Sequence, residues 1–269
     1  MFMTSLLWFA GTLLALVLIQ KWVHRHLHGI AYLVTGQPDM ALSLYALVLL
    51  PGVALHELAH AIMAVVLGVK VGNFTIVPRR QPDGHVRLGA VQVELVDPVR
   101  SSLIGLAPLL VGSGAILLII RYAFQVELLD QAVATSNLEM LILSLGGMLK
   151  APDAWLWLYL VFAIANAMAP SPADRETWPP VILYLTLAGT VALALGWSSI
   201  IEGVGEVAGA GLRWLAAAFT ITLLVDLPFV ALMILLEITT GRVLGRRVEY
   251  SVKPQPPDKF DSSSRKKRH

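Results

Sequence analysis

The 269-residue chain has no cysteine and little charge: only 14% of its residues are Asp, Glu, Lys or Arg. The first absence excludes disulfides, thiol catalysis and cysteine-bound metal, so any metal must be held by His, Asp or Glu. The second excludes an ordinary soluble surface, because a typical globular domain carries about 25% charged residues. Apolar residues fill the gap, at 57% of the chain with a mean hydropathy of +0.72. Lipid is the solvent that suits this composition. The net charge is only +2, but the cations are unevenly placed. Arg242, Arg246, Arg247, Lys253, Lys259 and the run from Arg265 to Arg268 crowd the last stretch, among Pro254, Pro256, Pro257 and three serines. That composition predicts a solvated, disordered tail over 242–269. Beside a membrane span, such a cluster reads as a topology signal rather than a nucleic-acid surface. The apolar N-terminus lacks a basic leader and a small-x-small cleavage site followed by a soluble domain, so it reads as a retained span.

Six stretches are long or apolar enough to cross a bilayer, which takes about 20 residues. They are roughly 3–20, 40–67, 103–120, 154–169, 181–201 and 214–238. Residues 137–149 are apolar but too short, and suit an interfacial or re-entrant piece. Segment 71–97 differs from all of these. It is rich in Val, Thr, Ile and Phe and is punctuated by Pro78, Pro82 and Gly84, which predicts strands at 73–77 and 86–94 around a turn at Gln81, Asp83 and Gly84. The expected fold is an all-α membrane protein. It has about six transmembrane helices and a membrane-associated β-hairpin after the second, in one unit over 1–241 with its core at 43–178. Lys and Arg in short loops set the orientation. Placing the tail in the cytosol brings Lys70, Arg79, Arg80, Arg87, Arg100 and Arg175 to the same side. Six spans then put the N-terminus in the cytosol too, and leave Lys21 and Arg25 on the opposite side.

The second span reads LHELAHA. His56 and His60 are four residues apart, so on a helix they share one face about 6 Å apart along the axis. Both imidazoles can then reach one metal. Glu57 lies beside that face, placed to take a proton from water rather than to ligate. This is the HExxH arrangement of zinc peptidases. Two histidines and a glutamate within a lipid-spanning helix cost roughly 2–3 kcal/mol per charged group, so such groups face a cavity or a partner. A catalytic zinc needs a third protein ligand. The fourth span runs into Pro170 and Pro172, which break the helix and turn the chain inward, and Asp174 follows. Asp174 is the best third ligand, ahead of Glu176 and Asp153. His24, His26 and His28 alternate along a helix, which spreads them around it and predicts solvated residues beside the membrane rather than a second metal site. Asp226, near Pro228 in the last span, lines a cavity or marks a kink, with no catalytic role assigned.

Together these residues resemble the site-2 protease family of intramembrane zinc metalloproteases. The resemblance is carried by HELAH in an early span, the hairpin after it, the small-residue segment GLAPLLVG at 105–112, and Asn166 with Pro170 and Asp174. It covers roughly 43–178. It implies one Zn2+ per chain on His56, His60 and Asp174, with Glu57 as general base. It also implies that Asn166 lies beside the metal to orient substrate or stabilise an oxyanion, and that the hairpin offers an edge strand, taken as 73–77, to an unwound substrate helix. Two departures stand out: Ala173-Asp174-Arg175 replaces Leu-Asp-Gly, and the Asn-to-Pro spacing is one residue longer. The PDZ domain of some members is absent. The expected partners are a transmembrane protein or peptide substrate, the lipid bilayer and a regulatory membrane partner, with no nucleic acid. By analogy, the setting is a prokaryotic inner membrane. The competing readings are a catalytically silent membrane scaffold and a channel or transporter. The second would need matching broken helices in two repeats, and no internal repeat is visible.

Overall fold

The computed structural model describes residues 2–80, 86–124, 135, 137, 139–140, 153–248 and 250. The turn at 81–85 with His85, most of the 137–149 segment and the tail from 251 lie outside the described residues. The chain is mostly helical. Helix α1 is Phe2–Thr35 and α2 is Pro38–Val66, followed by strands β1 (Val71–Thr75), β2 (Arg79–Arg80), β3 (Val86–Arg87) and β4 (Ala90–Val93). Then come α3 (Pro98–Ala123), α4 (Ala154–Ala165), the single turn α5 (Pro172–Arg175), α6 (Trp178–Ala194) and α7 (Ser198–Leu244). Five stretches are long and apolar enough to cross a membrane: α1, α2, α3, the Pro172–Ala194 stretch and α7. This suggests a multi-pass membrane protein.

Local sequence sets the boundaries. Pro38 occupies the first turn of α2, where its missing N–H costs nothing. Gly68 closes that helix at φ +70°, a left-handed geometry that glycine adopts without strain. Asp97 caps α3, its carboxylate accepting the N–H groups of Val99 and Arg100 at 3.1 Å. The hairpin forms as expected, with its strands shifted slightly along the chain. β1 pairs antiparallel with β4, and a register irregularity separates Val71 from Phe74. β2 pairs with β3.

The count of candidate spans among the described residues differs from the sequence expectation. Helix α4 has only 12 residues, about 18 Å at 1.5 Å per residue. It stops at Ala165, and Pro170 and Pro172 prevent its continuation. The chain resumes through α5 into α6. Among the described residues, five stretches rather than six are therefore long and apolar enough to cross, with the expected fourth reduced to the short α4 and the fifth formed by α5 and α6. The last helix is also longer than expected: α7 has 47 residues, about 70 Å of helix. It begins at Ser198, directly after the left-handed Gly196 and Trp197.

Helices α1 and α7 run parallel along most of their length. Arg213 Nη1 donates to Ser5 Oγ at one end. At the other, His26 Nδ1 lies 2.7 Å from Glu237 Oε2 and its ring packs against Tyr250. Arg246 lies against Gly36. The N-terminus and the start of the tail therefore stand at opposite ends of the bundle. Helix α2 returns towards the N-terminal end, so the hairpin also lies opposite the tail. The basic segments expected on one face are thus divided. Arg25, beside Tyr250, joins Arg242, Arg246 and Arg247, while the hairpin lies towards the other end.

Lipid gives apolar helices no hydrophobic reason to associate, so close packing of small residues must hold them. Ala216, Ala217 and Ala218 of α7 and Ala163 and Ala165 of α4 are fully buried. Gly52 of α2 sits so close to α4 that a Cβ there would overlap the Ala163 carbonyl oxygen. None of the residues of α6 is buried.

Reporter fusions test the odd number of passes. A topology reporter at the N-terminus and one after Arg247 should report opposite faces of the membrane, and reports from the same face would restore an even count. The same pair assigns the cytosolic face, because the two opposed groups of cations offset each other.

Candidate metal centre and cavity

His56, Glu57 and His60 occupy one side of α2, as the spacing requires. His56 Nε2 and His60 Nε2 lie 3.1 Å apart, with their rings edge to face. Asp174 approaches from α5, its Oδ1 3.3 Å from His60 Nε2 and its Oδ2 3.9 Å from His56 Nε2. The three side chains form a group that could hold a metal ion. The donor set fits a tetrahedral metal. Bonds of about 2.0–2.1 Å place neighbouring ligand atoms roughly 3.3 Å apart, close to the spacings found.

Each ligand is oriented by the backbone around it. His60 Nδ1 donates to the Ile104 carbonyl at 2.9 Å. That carbonyl is available because Pro108, four residues on, has no N–H to offer it. The bond assigns the Nδ1–H tautomer and leaves the Nε2 lone pair facing His56 and Asp174. Asp174 is fixed by a capping box. Ser171 N–H donates to Asp174 Oδ2 at 2.7 Å, and Asp174 N–H donates to Ser171 Oγ. The Ser171-Pro172-Ala173-Asp174 sequence carried this signal, which spacing arguments about ligands passed over. His56 Nδ1 is buried with no hydrogen-bond partner among the described residues. The Ala167 backbone is the neighbour it interacts with, at a geometry short of a hydrogen bond.

Two residues of α3 decide whether Asp174 can reach the histidines. Gly105 lies against the Asp174 backbone, and a Cβ there would overlap the Asp174 carbonyl. Ser102, one turn earlier, donates to the Thr177 carbonyl at 3.0 Å. The GLAPLLVG segment thus has two physical tasks: Gly105 admits the α5 turn, and Pro108 frees the carbonyl that orients His60.

A cavity of about 670 Å³ opens on these residues. Its hairpin wall is formed by Leu88, Gly89, Val91 and Val93, so β4 and not the 73–77 edge faces the site. Gly89 is buried against Glu57, and a Cβ there would come 2.7 Å from the Glu57 carboxylate. The rim holds the exposed Glu94 and Glu176. Asp153, the other acid weighed as a ligand, begins α4 and does not line this cavity.

Asn166 lies at the end of α4, buried, and lines the same cavity. His24, which the sequence placed among solvated residues, also lines it, as does Tyr45, to which the sequence did not point. His24 Nδ1 is 2.7 Å from Tyr45 Oη, and the imidazole interacts with the Asn166 backbone. The expectation that His24, His26 and His28 are solvated is therefore overturned. Their alternation does spread them around α1, but α2 and α7 pack on both sides. His24 and His28 meet Tyr45, and His26 meets Glu237. Enlarging a residue that offers no ligand atom should test the architecture: Gly105→Val should displace Asp174 and reduce bound metal well below one per chain, by elemental analysis, while the protein remains helical by circular dichroism. No family model, no curated protein and no solved structure matches the chain, so the geometry of this centre is what a functional reading has to work from.

Proposed function

We propose that the protein is an intramembrane zinc metalloprotease that hydrolyses a peptide bond in or near a transmembrane segment of its substrate. The observation that carries this reading is the convergence of His56, His60 and Asp174, with Glu57 beside them, on a cavity inside a lipid-suited bundle. The resemblance to site-2 proteases supports it. The donor set supports zinc in particular, since two imidazoles and one carboxylate make a three-ligand catalytic site with a fourth position left for water or substrate.

Zinc held there would supply Lewis acidity, polarising the scissile carbonyl and bringing the pKa of an attacking water down to about 7. Glu57 takes the proton from that water and returns it to the departing nitrogen as the C–N bond breaks and a C–O bond forms. Hydrolysis consumes one water and leaves a carboxylate and an amine. The cavity provides what the hydrocarbon region lacks, a polar space that water can enter, and its rim acids Glu94 and Glu176 keep the mouth hydrated.

Substrate geometry follows from the hairpin. A helical substrate hides its carbonyls in intrahelical bonds and must be extended before attack. β4 walls the cavity, and an extended segment laid along it would recover backbone hydrogen bonds by strand addition. Gly89 lets the strand approach Glu57 closely enough to bring such a segment to the base. By the analogy already drawn, the setting is a prokaryotic inner membrane.

Purified protein should contain about one zinc per chain, and Asp174→Ala should lose it, by elemental analysis. Glu57→Gln should keep the metal and lose cleavage of a transmembrane peptide by about 10²–10⁴-fold. Wild-type protein that neither contains nor takes up zinc would sink this reading and leave a membrane scaffold. Gly89→Ala should lower kcat while the zinc content is unchanged, because the added methyl pushes the strand and Glu57 apart. An unaltered kcat would remove β4 from the substrate path.

A further inference from the structure

Among the ionisable residues of the helices, Asp226 lies outside the ligand set and is fully buried, midway along α7. Its side chain makes one described hydrogen bond, in which Asn166 Nδ2 donates to Asp226 Oδ1 at 3.0 Å. Asn166 Nδ2 also donates to the Phe162 carbonyl at 2.9 Å. These two bonds decide the orientation of the amide. The Phe162 carbonyl can only accept, so the NH2 group and not the oxygen faces it, and Asp226 Oδ1 accepts from the same nitrogen. Asn166 therefore spends both of its N–H donors on the protein. Its Oδ1 is left buried with no partner among the described residues, on a residue that lines the cavity.

An unpaired carbonyl oxygen in such a place is costly, at about 1–3 kcal/mol. The arrangement is stable in use if a ligand brings a donor, and the N–H of an extended peptide is that donor. With both amide hydrogens engaged by the protein, this arrangement favours an accepting role for Asn166.

We propose that Asp226 is a positioning residue that locks the Asn166 amide with its oxygen towards the cavity, where it accepts a backbone N–H of the bound peptide. This deepens the protease reading and rests on it for the identity of the ligand. Asp226 is placed for the task from a different helix, far along the chain, and its burial in an apolar span is otherwise unrewarded. Either protonation state of its carboxyl keeps Oδ1 as an acceptor. An asparagine at 226 would do the same, whereas a leucine would free the Asn166 amide to rotate and to present N–H where the peptide also presents N–H.

Asn73, Asn137 and Asn166 are the only asparagines of the chain, so 15N-asparagine labelling yields three side-chain NH2 pairs in detergent micelles. The probe is a Lys-flanked Leu/Ala peptide of about 20 residues, long enough to span a bilayer, with a central Asn-Gly, a fluorophore and a quencher. In wild type and in Asp226→Asn the Asn166 pair should exchange slowly with solvent. In Asp226→Leu it should exchange at least about ten-fold faster, and KM for the peptide should rise by about ten-fold, the equivalent of one lost hydrogen bond. Bound zinc should be the same in all three proteins. Asp226→Ser, whose hydroxyl is too short to reach Asn166, carries the same test where the leucine variant does not fold. Unchanged exchange of the Asn166 pair in both variants overturns the positioning role, and unchanged KM with faster exchange overturns the peptide contact. If wild type binds the peptide without cutting it, the protease reading falls, while Kd in place of KM still decides this inference.

Discussion

The hydrogen bond from His60 Nδ1 to the Ile104 carbonyl is the tie on which the centre depends. A backbone carbonyl inside a lipid-spanning bundle cannot turn to water, so a proline that frees one must be answered by a side chain. Pro108 frees Ile104, and His60 answers it. The single bond satisfies the backbone of α3, fixes the tautomer of a ligand and locks α2 to α3 in one register. Gly105 follows Ile104 directly, so the same stretch of α3 that receives His60 also makes room for Asp174. The arrangement of the candidate ligands and the packing of the helices are thus two consequences of one local break in the hydrogen-bond ladder.

The break after α4 works in the same way. Its end leaves carbonyls without intrahelical donors, and side chains from α1 reach them. Gln20 Nε2 donates to the Ala165 carbonyl at 2.6 Å, and His24 interacts with the backbone at Asn166. Polar residues of the first helix are therefore not decoration on a membrane anchor. They complete the irregular backbone that carries Asn166 and, a few residues later, Asp174. Irregular backbone at such depth is tolerated where it is buried in protein or lines a cavity, and here it does both.

What could be read in advance follows from the range of the physics involved. The spacing of His56 and His60 is a local helical fact, and the face it predicted is the face observed. Alternation and turn residues gave the hairpin, and the proline break placed Asp174 near the histidines. The number of passes could not be read the same way. Hydropathy sees two apolar stretches on either side of 166–177 and has no term for whether the second begins where the first stopped or turns back. Only the packing of α1 on α7 and of α4 on α2 distinguishes the two. His24 shows the converse case: its position on α1 was legible, and its burial was not, because burial depends on which helices α1 meets. The Asn166–Asp226 pair is separated by 60 residues, and nothing in either local sequence announces it.

The distribution of cost argues for the cavity as the reason for the fold. Each ionisable group placed within a span costs about 2.5–3.5 kcal/mol on insertion scales. His24, His56, Glu57, His60 and Asp174 all line one space, and Asp226 reaches it through Asn166. Structural polar groups scattered for helix pairing would be expected at several interfaces, as Gln20 and Arg213 are. Concentration on one wall, with an acceptor left without a donor and three ligand atoms left facing one another, is the pattern of a space that is completed by something from outside the chain. The candidate ligand atoms and the unpaired acceptor belong to residues that line the same cavity, which is why the proposed metal and the proposed peptide contact would serve one reaction.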